Sequence, residues 1–507
     1  MTKIDWLELK NGSDIRGTAI DGNGEKANLT PEAVDGIIRA FCLFFAEKSK
    51  KTTFTIAVGH DSRLSAKWIS ECTLRAITES GANALFTGLS STPSMFMLLQ
   101  DGLADASVMI TASHLPYNKN GLKFFTKESG LESSDISRIL ELAANGQKLS
   151  SAVKGTIKEY DYLSQYAENL VKFFREKTGC ERPLEGKKIV VDAGNGAGGF
   201  YADKVLTPLG ADTHGSQFLN PDGNFPNHIP NPENKDAMAS ICECVKKNRA
   251  DFGIIFDTDV DRAGAVDKHG EEINRNRLIA LISAILLSEK KGAVIVTDSV
   301  TSDGLTEFIQ NHGGVHRRFR RGYKNVINES IRLNAEGKDS PLAIETSGHA
   351  ALRENYFLDD GAYLVTRILI TLANLAKDGK DISDLISDLP EPIEAAEARL
   401  GFTEEGKKDF KKFGNDAIEA IRSAVETRTG ETLASECCEG VRINFDKNSG
   451  DGWALVRMSL HEPIVPVNFE SNQTGGCKII ANRLYDLISS VSDKIDLANL
   501  EKFIKNA

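Results

Sequence analysis

The chain has 507 residues, 41% of them hydrophobic and 26% charged, and a formal net charge of −11. That balance is globular, and the length exceeds what one core fills, so about three to five domains are expected. The acidic charge argues against nucleic-acid binding, which favours a basic footprint, but it leaves room for small anions held in a local cationic pocket.

No apolar run approaches bilayer length, and residues 1–10 lack the basic-then-apolar pattern of a secretory signal. A cytoplasmic protein without membrane contact is expected. The eight cysteines are scattered. Cys242-x-Cys244 and Cys437-Cys438 lack zinc-ligand spacing, so they read as buried or idle thiols.

In chain order, Asn11-Gly12-Ser13-Asp14-Ile15-Arg16-Gly17 sets one arginine among turn formers. Residues 53–58 read as a strand, and a helical pattern that ends near Gly81 follows Gly59-His60-Asp61-Ser62-Arg63. A second strand at 83–87, Thr92-Pro93 and another helical stretch lead to the apolar run 107–110. Strands and helices alternating at this spacing predict a parallel or mixed sheet covered on both faces. The run then breaks into Thr111-Ala112-Ser113-His114-Leu115-Pro116, with Asn120-Gly121-Leu122-Lys123 close behind. Proline cannot continue a ladder, so Ser113 falls at a strand end, where open α/β sheets place their ligands. A hydroxyl, an imidazole, an ammonium and a permissive glycine within this span are the parts of an activated hydroxyl.

The pattern restarts with a helical 160–177 and a strand at 187–192, followed by the glycine-rich turn 193–199. That turn does not fit G-x-G-x-x-G, which makes a dinucleotide site improbable. Asn220 to Pro232 holds too much Pro and Asn for regular structure. After the apolar strand 252–256 comes Asp257-Thr258-Asp259-Val260-Asp261-Arg262. Carboxylates at alternate positions of an extended loop point the same way, and three of them favour a hard cation over mutual repulsion. A third unit runs from the helical 276–289 through a strand at 293–297 to the basic run 316–324. Such runs are usually solvated faces, but here the run is equally a candidate phosphate collector. Glu345-Thr346-Ser347-Gly348-His349 offers mixed donors and acceptors suited to sugar hydroxyls. Beyond the proline-bearing 388–392, a strand pair at 441–445 and 453–457 ends in Arg457 and Ser459, able to fork onto a phosphate.

Taken together, these segments resemble the α-D-phosphohexomutases, the family of phosphoglucomutase, phosphomannomutase and phosphoglucosamine mutase. The family spells the loops D-I-R-G, T-A-S-H-N-P with N-G-x-K, D-G-D-G-D-R, G-[FHWY]-K, G-E-x-S-G-H and R-x-S-[NG]-T-x-P. Six such motifs stand here in family order across nearly the whole chain. Departures are Leu115, Thr258, Val260 and the Leu460-His461 pair, spellings that resemble the plastid-type plant members. The resemblance implies an α/β fold of four domains around a central cleft: three similar domains with mixed sheets and a smaller C-terminal α+β domain. The expected limits are 1–178 for the phosphoserine loop, 179–275 for the metal, 276–392 for the sugar and 393–507 for the phosphate.

It further implies a hexose 1-phosphate/hexose 6-phosphate mutase acting on glucose and/or mannose, as a monomer or dimer. Ser113 would carry a phosphate on Mg²⁺ held by Asp257, Asp259 and Asp261. Lys123 would be the general acid/base, helped by His114, with Arg16 and Arg262 in the catalytic cleft. Glu345, Ser347 and His349 would hold the sugar, while Lys324, Arg457, Ser459 and His461 would hold its phosphate. Glucose 1,6-bisphosphate would be the intermediate and activator. Two alternatives stand beside this reading: a glucose 1,6-bisphosphate synthase drawing on a donor such as fructose 1,6-bisphosphate, and a non-catalytic sugar-phosphate sensor.

Overall fold

A computed structural model of the protein describes residues 4–149, 151–459 and 462–506. His461, an expected phosphate ligand, and Leu460 lie outside the described residues. The chain divides into two compact units, Met1–Leu278 with Ser347–Leu385 and Ile279–Thr346 with Ile386–Ala507.

The first unit holds a seven-stranded mixed sheet. Its central strands Thr55–His60, Asn83–Leu89 and Ala106–Ile110 are parallel, because helices Ala66–Glu79 and Thr92–Gln100 carry the chain back between them. Lys119–Thr126 then runs antiparallel beside Ala106–Ile110, and Asp14–Thr18 pairs with it on the far side. Ala106–Ile110 is buried throughout, as an apolar strand covered on both faces should be. Helix Pro31–Ser49 starts where Thr30 accepts the Ala33 N–H and Pro31 presets the first turn. It packs Phe41 against Phe124 with ring centroids 4.6 Å apart. The serine loop therefore leaves a sheet that its surroundings hold rigid.

The second sheet of this unit is built from Ile189–Asp192, Phe252–Phe256, Ala263–Asp267 and Glu272–Ile273. Phe252–Phe256 and Ala263–Asp267 form an antiparallel hairpin in which Phe256 faces Ala263. The segment 257–262 is thus a hairpin turn rather than the extended loop expected from its alternating carboxylates. Val260 takes φ 66°, a left-handed conformation that is strained for a β-branched residue. Helices Tyr162–Thr178, Lys235–Asn248 and Gly361–Lys377 belong to the same unit.

In the second unit, Val315–Phe319, Val294–Asp298 and Leu342–Ile344 lie parallel in that order, joined through helices Asp303–Asn311 and Tyr323–Ala335. A separate antiparallel sheet follows, ordered Glu431–Leu433, Val441–Phe445, Gly452–Val456, Val465–Ser471, Glu394–Phe402 and Ile495–Asp496. Helices Phe410–Val425, Gly476–Val491 and Ala498–Asn506 follow the α+β pattern. Ile421, Val441, Leu484 and Phe469 lie in its core. Arg457 stands one residue beyond the Gly452–Val456 strand rather than inside it. Among the described residues no helix is long and apolar enough to cross a membrane.

Candidate active site

Ser113 takes φ 51° at the end of the Ala106–Ile110 strand, and a network beneath the loop holds that unusual backbone. Its N–H donates to Thr111 Oγ1 (2.9 Å), whose hydroxyl donates to Asp61 Oδ2 (2.7 Å). The Arg63 guanidinium, 2% exposed, donates to the carbonyls of Ser113 and Leu115 and, at 2.8 Å each, to those of Pro116 and Lys119. Arg63 Nε also lies 3.4 Å from Asp61 Oδ2. A planar cation with five fixed donors can satisfy several turn carbonyls at once. Gly121 serves the same packing. A Cβ there would sit 2.3 Å from the Ile15 carbonyl and 2.8 Å from that of Thr111, so this glycine admits a neighbouring strand rather than a ligand.

At the top of the loop, Ser113 Oγ donates to Asp257 Oδ2 (2.9 Å) and accepts from Arg262 Nη2 (2.8 Å). His114 Nδ1 is 2.6 Å from the same Arg262 Nη2 and 3.3 Å from Ser113 Oγ. A guanidinium only donates, so Nδ1 is the acceptor and any proton on the neutral ring belongs on Nε2. Desolvation and then the charges of Arg262 and Arg16 hold His114 well below the ordinary imidazole range, which keeps it neutral.

Asp257, Asp259 and Asp261 are all buried and each offers an oxygen within 4.8 Å of the others. Burial and the neighbouring Asp261 push Asp257 well above the usual carboxylate range. Burial also opposes the charge on Asp261, but Lys123, His349 and Arg262 hold it well below that range. Lys123 Nζ bonds Asp259 Oδ2 at 2.9 Å and Asp261 Oδ2 at 2.5 Å. Burial disfavours the ammonium, yet those two carboxylates raise Lys123 well above its ordinary value. Asp259 Oδ1 and Asp261 Oδ1 are buried and accept no hydrogen bond among the described residues. Two unsatisfied carboxylate oxygens beside a third carboxylate form a hard-oxygen donor set, and they fit a divalent metal ion.

The hairpin turn is held from several sides. Thr92, at the start of its helix, donates both N–H (2.8 Å) and Oγ1 to Asp259. Ala197 N of the glycine-rich turn donates to Thr258 O (2.8 Å), so that turn braces the aspartates instead of cradling a phosphate. Arg262 Nη1 reaches Asn231 Oδ1 at 3.3 Å. His349 forms a bridge with Arg262 that leaves its Nε2 3.7 Å from Asp261 Oδ1 and its Nδ1 2.9 Å from Ser347 Oγ. Gly348 permits this approach: it has φ +91°, and a Cβ would meet the Ala263 carbonyl at 2.8 Å. Arg16 pairs with Asp14 at 2.9 Å on the strand beside Lys119–Thr126.

The first unit thus gathers Ser113, His114, Lys123, the three aspartates, Arg262, Ser347 and His349. Lys324, Glu345, Arg457 and Ser459 belong to the second unit. There Glu345 Oε1 accepts the Gly322 N–H (2.6 Å), Lys324 stands in the first turn of helix Tyr323–Ala335, and Ser459 Oγ accepts the Glu462 N–H (3.2 Å). The basic run is not a solvated face. Arg317 bonds Glu329 (3.0 Å), Arg318 bonds Asp303 (2.8 Å), and His316 lies between Thr297 and Thr306. The supporting roles of Thr92, Thr111 and Asn231 were not legible in the sequence, because nothing in Ser91-Thr92-Pro93 beyond a helix start names its distant partner. All eight cysteines are free.

Comparison with known proteins gives the family of the chain. Family models described as phosphoglucomutase/phosphomannomutase, alpha/beta/alpha domains I, II and III match residues 8–150, 162–270 and 274–393. A phosphoglucomutase of Neisseria gonorrhoeae is 30% identical over 478 residues, covering 94% of this chain and 96% of that protein. A phosphomannomutase/phosphoglucomutase of Pseudomonas putida is 30% identical over 82% of this chain and 83% of its own. The crystal structure of a phosphoglucomutase/phosphomannomutase family protein from Burkholderia thailandensis superposes with TM-score 0.78 at 25% identity, covering 95% of this chain and 97% of that one. None of these three is named as a bisphosphate synthase or a sensor, so those two readings find no support. The chain belongs to the phosphoglucomutase/phosphomannomutase family.

Proposed function

We propose that the protein interconverts hexose 1-phosphates and hexose 6-phosphates of glucose and/or mannose through a phosphoserine at Ser113 and a 1,6-bisphosphate intermediate. The observation that carries this reading is the convergence on Ser113 Oγ of Asp257 at 2.9 Å and Arg262 at 2.8 Å, with Lys123 locked to Asp259 and Asp261 beside them. Phosphoryl transfer asks for positioning and charge neutralisation rather than elaborate covalent chemistry, and this arrangement supplies both.

Asp257, Asp259 and Asp261, with the phosphate on Ser113, would hold Mg²⁺. A bound Mg²⁺ would withdraw charge from the phosphoryl oxygens and from the aspartates that keep Lys123 protonated. Arg262 steadies the phosphoryl group. The hydroxyl oxygen of the bound hexose phosphate bonds to phosphorus while the P–Oγ bond breaks. The hydroxyl proton leaves, and Ser113 Oγ gains one. Lys123 at Nζ carries that proton exchange, and neutral His114 beside Oγ assists it. Arg16 supports the anion from the adjacent strand. When the 1,6-bisphosphate returns its other phosphate to Ser113, the isomerisation is complete, which is why glucose 1,6-bisphosphate would act as activator.

Glu345, Ser347 and His349 would bind sugar hydroxyls, and Lys324, Arg457, Ser459 and His461 the phosphate that is not being transferred. The domain limits proposed for these roles are 1–178, 179–275, 276–392 and 393–507. The test is a coupled assay for glucose 6-phosphate formed from glucose 1-phosphate with Mg²⁺ and trace glucose 1,6-bisphosphate. Turnover by the wild-type protein and none by Ser113→Ala is expected. Full turnover by Ser113→Ala would overturn the proposal.

A further inference from the structure

We infer that His228 is a positioning residue for the reaction: held as an imidazolium by the buried carboxylate of Asp192, it pins the 220–232 segment against Arg63 and Arg262, the two guanidiniums that fix Ser113. The inference rests on the reading of Ser113 as the phosphoryl carrier.

The partners of the ring set its protons. His228 Nε2 lies 3.1 Å from Asp192 Oδ1 and 3.0 Å from Oδ2, and Nδ1 lies 3.0 Å from the Ile229 carbonyl. A carboxylate and a carbonyl only accept, so both ring nitrogens donate and the ring is a cation. Asp192 receives further donors, the Gly194 N–H at Oδ1 (2.9 Å) and Gln217 Nε2 at Oδ2 (2.7 Å), which is an acceptor's environment. The side chains of His228 and Asp192 are 3% and 0% exposed, so water does not screen the pair. Burial opposes the charge on the ring, but the hydrogen bond and charge of Asp192, with the Ile229 carbonyl, raise His228 above its ordinary 6.5. Phe218 meets the ring edge-on with centroids 5.4 Å apart. On helix Lys235–Asn248 the titratable group that feels Asp192 is Cys244, a thiol that burial raises from 9.0 while Lys188 and Lys247 pull it back. Cys244 is therefore neutral at neutral pH, and the proton that titrates in this pocket is the one on His228.

The segment that this clasp holds has no helix or strand of its own. Phe225 takes φ 48°, a left-handed backbone that a bulky residue keeps only where its surroundings impose it. Both guanidiniums lean on the segment. The Arg63 guanidinium lies 5.3 Å from the centre of the Phe225 ring, and a Cβ on Gly223 would meet the Ser62 carbonyl at 2.6 Å, so the segment lies flush on the turn that carries Arg63. Three residues beyond His228, Asn231 Oδ1 accepts from Arg262 Nη1 at 3.3 Å. His228 stands between these two contacts in the chain. A neutral ring has one N–H for two acceptors, so losing its proton opens one side of the clasp and loosens the support of both arginines.

We would record kcat and KM between pH 5.5 and pH 10 for the Mg²⁺-loaded wild-type protein, His228→Gln and Asp192→Asn, with glucose 1-phosphate and trace glucose 1,6-bisphosphate. The histidine ring signals of the ¹³C-histidine-labelled proteins would be followed by NMR over the same range. The His228 signal, identified as the one lost in His228→Gln or moved in Asp192→Asn, is expected to titrate above 6.5 in the wild-type protein, and kcat to fall on the basic side with the same midpoint. His228→Gln keeps a donor to Asp192 without the charge. Its kcat is expected to fall roughly 10- to 100-fold with KM within about threefold, and its basic limb at that midpoint to vanish. In Asp192→Asn the opposite charge is gone, so the NMR midpoint and the limb should both move down by roughly 1–3 pH units. A limb set by Lys123, which bonds Asp259 and Asp261, would stay in place. A wild-type His228 midpoint at or below 6.5, or a basic limb that neither variant changes, would overturn this inference and leave the mutase reading standing. No turnover by the wild-type protein, alongside the expected NMR midpoints, would overturn the mutase reading and leave the clasp.

Discussion

Replacing Arg63 by methionine asks whether one buried cation holds the serine loop from below. Methionine keeps much of the volume but removes the guanidinium's hydrogen bonds to the carbonyls of Ser113, Leu115, Pro116 and Lys119, and it leaves Asp61 without the Arg63 counter-ion. Breaking a buried ion pair costs about 3–5 kcal/mol. The carbonyl contacts share the same side chain, so their energies do not add, and about 4 kcal/mol is the working figure. For a domain of roughly 150–250 residues each kcal/mol moves Tm by about 2–4 °C, so the domain's transition should fall by about 8–16 °C. Asp61 adds a pH signature. Burial raises it from 3.8 to about 6, with Arg63 the chief influence pulling it back and Asp259 pushing it further up. An acid with a raised folded pKa takes stability away as pH climbs from its unfolded to its folded value. In the wild-type protein that loss is complete just above pH 6; without Arg63 it continues upward. The variant's deficit should therefore be larger at pH 8 than at pH 5. Scanning calorimetry in EDTA at both pH values checks this. A transition lowered by less than 2 °C, or by the same amount at both pH values, would refute the reasoning. Activity should drop roughly 100-fold in parallel, the penalty expected when a reacting group shifts by about 1 Å.

Lys123→Met should lower kcat by roughly 10²- to 10⁴-fold with a small change in KM, the mark of a lost proton carrier, and steady-state kinetics would show it. A rise in KM alone would remove Lys123 from that role. Asp259→Asn should abolish activation by Mg²⁺ titrated into metal-free protein while leaving the fold intact by circular dichroism; undiminished Mg²⁺ activation would rule out the aspartate site. In the second unit, burial raises Glu470 from 4.5 to about 7, while Trp453 Nε1 and Arg442 pull it back. That unit should lose up to about 3 kcal/mol of stability as pH rises through this window, and Glu470→Gln should flatten the dependence. An identical pH profile for the variant would assign the dependence elsewhere.

What could be read in the sequence was local. Apolar runs such as 252–256 and their turn residues marked the strand ends, and the Ser113 and Asp257–Arg262 segments stood out because their residue types are costly without a purpose. What stayed hidden depends on partners distant in sequence. The hydrogen bond from Thr92 to Asp259 spans 167 positions, and the bond from Ser299 to Glu439 spans 140, so no window of sequence contains both ends. Gly121 looked like a place for a ligand, yet it admits the Asp14–Thr18 strand, a distinction that only the packed backbone draws. Val260 was visible as a replaced glycine, but only the folded backbone shows that it takes φ 66°, a left-handed conformation that leaves strain in the aspartate hairpin.

The central claim is that phosphate passes through Ser113, and a chase of labelled phosphoenzyme tests it most directly. Protein carrying ³²P on Ser113 would be mixed with Mg²⁺ and unlabelled glucose 1-phosphate, quenched within a few turnovers and separated into protein and sugar phosphates. The label should leave the protein, appear first in glucose 1,6-bisphosphate and then spread to the hexose monophosphates. Glucose 6-phosphate accumulating while the label stays on the protein would contradict the account.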